Sequence, residues 1–317
     1  MLLKFQRNYE LEVVGNDGNL YIFPYPLTLE FQVKRNVLAS ANTGNFRVYN
    51  LGQQHRNVIY KNQFDINVSF RSLILKAGYG EGQAITLPII FQGNVMQAQS
   101  YRLEKSVNFI TEIDGYDYGW VMTNAKSNFS GAAYTDTSKV FTQKQIIERL
   151  ISDLKATVPL DPTNKGAQLA IGAISPQFDV PFTQNFAFTG NTWDNLQKVT
   201  NNQAYIDNGK VYCLFENDVF EGDLTIIDSQ TGLLGTPKKQ QNFLIVEMLF
   251  EPRLQVGQQV QIISSSLAQY PNSNNGIFKV VGIEHRGTIS GAVGGECKTV
   301  VSCLRPLEKI NVVNASA

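Results

Sequence analysis

A chain of 317 residues, 43% of them apolar, is long enough for two or three domains and can build its core without covalent staples. Its 27 basic residues balance 27 acidic ones with no long run of either sign, which excludes a dedicated binder of nucleic acid or of anionic membrane, whose affinity rests on a concentrated basic surface. Neutrality also removes the self-repulsion that keeps many proteins monomeric, and with only 17% charged residues the composition suits extensive uncharged contacts.

From residue 1 to about 120 the apolar period is two. Thr28 to Lys34, Asn45 to Tyr49 and Phe64 to Phe70 each alternate apolar and polar positions, the pattern of a strand with one wet face. Gly15-Asn16-Asp17-Gly18 and Gly78-Tyr79-Gly80-Glu81-Gly82 supply residues that tolerate positive φ, so the chain is expected to reverse there. Leu87 to Gly93 reads as a further strand with Pro88 at its start or on an edge, and a long pair follows, Asn94 to Leu103 and Ser106 to Ile113, turning near Glu104-Lys105. Tyr116, Tyr118 and Trp120 are spaced as one face of a strand.

The pattern changes after Ser138. Thr142 can cap a helix with Gln145 at the capping-box position, and Ile146, Ile147, Leu150, Ile151 and Leu154 share one face up to Pro159. Leu160 to Gly166 reads as loop, and Thr192 can cap a second helix bearing Trp193, Leu196 and Val199. A hairpin follows, turning at Asp207-Asn208-Gly209 and running on to Phe215; Gly232 to Gln241 reads as a boundary loop. Strands resume at Val256 to Ile262, Ile277 to Ile283 and Glu296 to Leu304, and Asn311 to Ala317 is expected to be loose. The fold class is therefore mainly β with an α/β insertion.

Chemistry-bearing residues are sparse. The two histidines, His55 and His285, stand in no metal-ligand or triad spacing, and His285 reads as a strand-end hydrogen-bonding group. Glu112, Asp114 and Asp117 form the tightest acidic cluster; alternation places Glu112 and Asp114 on one strand face, as a glycosidase pair would require, although acidic residues entering a turn are the commoner case. No EF-hand spacing is present, and the glycines at 78–82 lack the Lys-Ser/Thr ending of a phosphate loop. Cys213, Cys297 and Cys303 have no zinc or disulfide spacing; the last two share a strand with Cα atoms about 20 Å apart, so free buried thiols are expected. No stretch reaches the length of a membrane span and the N-terminus has no apolar leader core, which predicts folding in a reducing cytosol. No catalytic, cofactor-binding or metal site is assigned, and no cofactor.

Leu29 to Arg35 followed by Asn45 to Leu51 resembles the opening of phage baseplate hub proteins, and Ser72 to Gly80, Pro88 to Gly93 and Ile110 to Ile113 continue that pattern in order. Thr192-Trp193-Asp194-Asn195-Leu196 with Tyr205 to Gly209 is similar to the inserted domain of the late-control-protein-D group of hubs, and Val256 to Gly287 to their closing barrel; Gly294 to Thr299 lacks the Trp often found before that strand. The resemblance implies two tail-tube-like β-barrels, residues 1–115 and 116–138 with 242–317, around a small α/β domain at 139–241. It further implies a homotrimer forming a pseudo-sixfold ring that joins the tail tube to the central spike and serves DNA ejection, without catalysis. Its partners would be the tube and spike proteins, with tape measure and other baseplate proteins beyond them, and its place the virion tail baseplate, assembled in the host cytoplasm. Sequence-specific nucleic-acid recognition and membrane spans are not implied. A second expectation from the residues is a carbohydrate-binding β protein using Tyr116, Tyr118 and Trp120, and a third a hydrolase using Glu112 and Asp114.

Overall fold

The computed structural model describes residues 6–38, 40–62, 64, 71–80, 86–104, 106–131, 141–158, 169–183, 185–220, 222, 224–240, 243–264, 276–305 and 310–314. Most of the strand expected at Phe64 to Phe70, the 160–166 loop, Pro159 and part of the 78–82 and 104–105 turns lie outside them.

The N-terminal part builds strands β1 (Arg7–Val14), β2 (Leu20–Pro24), β3 (Leu29–Asn36) and β4 (Thr43–Tyr49), then helix α1 (Gln53–Ile59) and strands β5 (Ser72–Tyr79), β6 (Ile89–Arg102) and β7 (Phe109–Tyr116). The β1–β2 reversal falls on Gly15 to Gly18, with Gly18 at φ +78° where a side chain would be strained. Alternation acts as expected: Leu29, Phe31 and Val33 are buried while Gln32 and Lys34 are exposed. One merger was not foreseen. The expected strands Leu87 to Gly93 and Asn94 to Leu103 run together as one strand, β6, from Ile89 to Arg102, and a bulge at Met96 absorbs one residue so that Val95 stands opposite Gly115 and Gln97 opposite Asp114.

The middle of the chain carries helix α2 (Gly119–Asn124), β8 (Lys126–Gly131), α3 (Gln143–Thr157), β9 (Ala170–Ile174), β10 (Phe186–Asn191), α4 (Thr192–Thr200), β11 (Ala204–Asp207) and β12 (Lys210–Cys213). Thr142 and Gln145 close the capping box of α3, and its five expected apolar residues are all buried. Helix α4 starts one residue earlier than predicted: Asn191, not Thr192, is the cap, its side chain accepting from the Asp194 N–H at 2.9 Å, while the Thr192 hydroxyl pairs with Ser127 at 2.9 Å. Asn208 (φ +47°) and Gly209 (φ +73°) make the β11–β12 turn.

The C-terminal part consists of β13 (Asp218–Phe220), β14 (Thr225–Ile227), β15 (Leu233–Gln240), β16 (Phe243–Leu249), β17 (Gln259–Ile262), β18 (Ile277–Ile289), β19 (Cys297–Leu304) and β20 (Asn311–Val313). Two expectations are corrected. The supposed boundary loop at 232–241 is strand β15, paired to β16 around an irregularity between Leu234 and Lys238 that accommodates Pro237 at the sheet edge. Asn311–Val313 is not loose but pairs in parallel with β13 and buries Val313.

Among the described residues a single path of hydrogen-bonded strands, β15-β16-β19-β18-β3-β4-β7-β6-β5-β1-β2, runs through both the N- and C-terminal parts. The seam is antiparallel β3–β18, Leu29 to Asn36 against Gly282 to Ile289. The buried apolar residues form three clusters. The first gathers β1 to β7 with Phe250, Ile289 and Cys297; the second packs Tyr118, Val121 and Ala125 with α3, α4 and Val211; the third packs β16 to β19 with Tyr205 and Tyr212 of the hairpin. Each fully buried Leu, Ile or Phe stabilises by roughly 1.5–3 kcal/mol, so these clusters carry the fold.

Candidate functional site

The face of the sheet turned away from the cores is polar across the seam. In register, one row runs Gln97, Asp114, Asn45, Gln32, Arg286, Lys298 and Leu249 over seven adjacent strands, and the next runs Tyr116, Thr43, Lys34, Glu284, Val300, Glu247 and Leu234. Two shallow depressions of about 440 and 300 Å³ open on this face, one around Arg47, Arg286 and Lys298 and the other around Lys34, Asn45 and Asp114.

Charges on this face are matched locally. Glu112 accepts from Arg47 at 2.9 Å and Tyr101 at 3.1 Å; Asn45 donates to Asp114 at 2.6 Å and to Glu112 at 3.2 Å; Gln32 donates to Glu284 at 2.7 Å; Tyr49 donates to Glu30 at 2.8 Å; and Lys298 pairs with Glu247. Partial burial works against the charge of Glu112, but the donors Asn45 and Arg47 outweigh it and hold the carboxyl below its ordinary range. The structure thus brings Glu112 and Asp114 together on one face as the spacing predicts. It does not give Glu112 the raised affinity for protons that a general acid requires.

Asp117 is separated from that pair. It is 1% exposed, in a junction where β3, the segment after it, the end of β7 and the β11–β12 hairpin meet. Arg35 binds both carboxylate oxygens of Asp207 through Nε and Nη2 at 2.7 Å each, with both side chains buried. Asn42 Nδ2 donates to the Ile206 carbonyl at 3.0 Å and reaches Asp117 at 3.2 Å; the Asn208 N–H donates to Asp117 at 2.9 Å. Burial first, and then the neighbouring Asp207 charge, push the Asp117 carboxyl up to about 7, against the pull of Asn42, the Asn208 amide and Arg35. Its Oδ1 is buried without a hydrogen-bond partner among the described residues. Sequence reasoning missed Arg35, Asn42 and Asp207. The signal was there for Arg35, which follows Leu29, Phe31 and Val33 at the inward parity of the same strand.

His285 lies in the middle of β18, not at a strand end, because the strand continues to Ile289. It is fully buried, with Nδ1 2.9 Å from the Thr299 hydroxyl and its ring 5.6 Å from that of Phe250. Burial, reinforced by Arg35, drives its pKa well below the usual histidine value, so it sits there as a neutral core group. His55, on α1, packs edge-on to Tyr21 and Phe23. The expected aromatic face does not form: β7 ends at Tyr116, Tyr118 turns inward at φ +51° and is fully buried, and Trp120 enters α2. All three cysteines are buried and none is in a disulfide. Among the described residues no group of three His, Cys, Asp or Glu side chains could hold a metal ion, and no helix is long and apolar enough to cross a membrane.

A family model described as baseplate hub gp41 matches residues 11–284. No protein of curated function matches the sequence. Among solved structures, the fold is similar to the 43 kDa tail protein of prophage MuSo2 from Shewanella oneidensis (TM-score 0.52, 10% identity, 94% of this chain and 98% of that one) and to a tail protein from Neisseria meningitidis (0.50, 10%, 94% and 96%). It is also similar to the Escherichia coli c3393 protein, a component of the type VI secretion system described as resembling the bacteriophage T4 tail proteins gp27 and gp5 (0.52, 11%, 92% and 77%).

Proposed function

Because the chain belongs to the baseplate hub gp41 family, we propose that it acts as a non-enzymatic hub subunit, three copies of which close a pseudo-sixfold ring between tail tube and central spike. The observation that carries this reading is the polar stretch of the sheet face that crosses the β3–β18 seam. The N- and C-terminal parts of the chain share a sheet through β3–β18, and across that seam Gln32 stands opposite Arg286 and Lys34 opposite Glu284. A protein whose two halves merely touched would have no reason to keep one wet surface in register across both. Arranged around an axis, three such faces would supply a continuous hydrophilic wall, with charges neutralised pairwise so that a passing polyanion meets neither a trap nor a strong barrier.

The ends of the sheet support the assembly step. Edge strand β2 exposes Leu20 and Ile22, and the strand pair at the other end exposes Leu234, Phe243 and Leu249, apolar surface that a copy-to-copy contact would cover. The proposed division into 1–115, 116–138 with 242–317, and 139–241 keeps its two barrels in this reading. One adjustment is favoured by packing: Tyr118 to Ala125 share their core with α3 and α4, and so go with the inserted part. The tube and spike proteins are the proposed neighbours, with tape measure and other baseplate proteins further out. A sugar-binding role loses its physical basis with the dispersal of Tyr116, Tyr118 and Trp120.

Sedimentation mass combined with negative-stain symmetry of the purified protein, alone and with its tube and spike neighbours, tests the proposal. Three copies in a ring are expected; a single copy under both conditions overturns it.

A further inference from the structure

The β11–β12 turn is built on Asn208-Gly209, the only Asn-Gly pair with both members among the described residues. This dipeptide carries chemistry of its own. Glycine has no side chain to block the approach, so the Gly209 nitrogen can attack Cγ of the Asn208 amide. An N–Cγ bond forms, the Cγ–Nδ2 bond breaks, and ammonia leaves with the proton that Gly209 gives up, closing a cyclic imide. Water then opens the imide at either carbonyl, leaving an aspartate, or an isoaspartate whose main chain runs through the side-chain methylene. Water is the only co-reactant, and nothing is oxidised or reduced.

The folded contacts oppose the first step. Asn208 sits at φ +47° with its N–H given to Asp117 Oδ2 at 2.9 Å and its Nδ2 to the Ile89 carbonyl at 3.3 Å, while the Gly209 carbonyl accepts the Ala170 N–H at 2.8 Å. Gly209 is buried, and a Cβ there would stand 2.9 Å from Gln92 Nε2 and 3.2 Å from the Tyr118 ring, so the turn is packed against β6 and the end of β7. Asn208 itself is half-buried, within reach of water. Conversion would alter the junction. The donor that faces the Ile89 carbonyl becomes an oxygen, and a third acid joins Asp117 and Asp207 where Arg35 already holds both oxygens of Asp207.

We propose that Asn208 is a deamidation site gated by the junction: it keeps its amide while the turn is clamped between β6 and Asp117, converts when the turn opens, and the acid so formed keeps the turn from closing again. The junction is then a one-way latch on the inserted hairpin, whatever the chain assembles with.

The test incubates the purified full chain in mildly alkaline buffer, folded and in urea, and follows Asn208 by peptide mass spectrometry, alongside Asp117→Ala, which removes the acceptor of the Asn208 N–H. The folded parent is expected to convert roughly tenfold or more slowly than the unfolded chain, and folded Asp117→Ala to recover most of that factor, since local opening limits the rate. If Asp117→Ala melts below the assay temperature, Arg35→Lys takes its place with the same expectation, because it keeps the charge and loses the two-pronged grip. In a second arm, Asn208→Asp is expected to speed hydrogen exchange of the Ala170 and residue 208 amides roughly tenfold while leaving Phe31 and Phe46 unchanged. Asn208→Gly, which adds no charge, is expected to stay near the parent. Equal conversion in the folded and unfolded parent overturns the gate, as does a folded junction variant that converts no faster than the parent. Parent-like exchange in Asn208→Asp overturns the latch.

Discussion

Arg47 and Arg35 both meet carboxylates, but in opposite surroundings. Arg47 lies on the wet face, its side chain 44% exposed, sharing Glu112 with Asn45 and Tyr101. Arg35 is 2% exposed and is the guanidinium placed between the inserted hairpin and the sheet, gripping Asp207 with Asp117 alongside. Water can replace any partner on the wet face. At the junction it cannot, so equal chemistry gives a replaceable surface pair in one place and a structural clamp in the other.

The comparison breaks most visibly at Arg35. Arg35→Leu leaves Asp207 buried without its cation and is expected to cost about 3–5 kcal/mol in denaturant unfolding, the range for breaking a buried pair from one side. A loss below about 1 kcal/mol, the exposed-pair range, would show that the junction is not the clamp described.

Asp117 comes next. The folded carboxyl keeps its proton up to about pH 7, whereas the unfolded one releases it near the ordinary aspartate value of 3.8. Between those limits the folded state binds more protons, so this group's contribution to stability falls as pH rises from about 4 to 7 and stays low above. Asp117→Asn, which imitates the protonated form, is expected to flatten that slope and to gain as much as roughly 4 kcal/mol at pH 8 with little change at pH 4, each pKa unit being worth about 1.4 kcal/mol. Melting curves from pH 4 to 8 decide it; parallel profiles for the two proteins would refute the assigned proton.

Gly93 offers a smaller contrast of the same kind. A Cβ there would stand 2.3 Å from the Tyr116 carbonyl oxygen, a backbone atom that cannot swing aside, whereas a Cβ at Gly294 meets nothing within 4 Å. Gly93→Ala is expected to cost about 1–3 kcal/mol and Gly294→Ala less than about 0.5, measured as the shift in urea midpoint. The smallest effect belongs to the wet face itself. Arg47→Gln should change stability by no more than about 1 kcal/mol, less in high salt, and a larger, salt-insensitive loss would mean that the face is covered in the folded protein.

The same contrast explains what could be read from the sequence. A strand with one wet face announces itself, so Leu29 to Lys34, Asn45 to Tyr49 and the pairing of Glu112 with Asp114 were legible from period two, as were the capping box at Thr142 and the Asp207-Asn208-Gly209 turn. The bulge at Met96 was not, because one extra residue leaves composition unchanged and alters only register. Strand β15 hid behind Thr236-Pro237-Lys238-Lys239, a string typical of a loop and equally of a protected sheet edge. The junction was invisible as a cluster: Arg35, Asn42, Asp117 and Asp207 come from four separate places, and only the three-dimensional closure of the sheet onto the hairpin brings them together.

Cryo-electron microscopy of the assembled hub with its tube and spike neighbours tests the central claim most directly, by showing which side of the sheet faces the axis. The account predicts three copies with Asn45, Gln32, Arg286 and Lys298 turned toward the central channel and the β3–β18 seam continuous in each copy. A map with that polar row on the outside of the particle, or with the chain present as one copy off the axis, would contradict it.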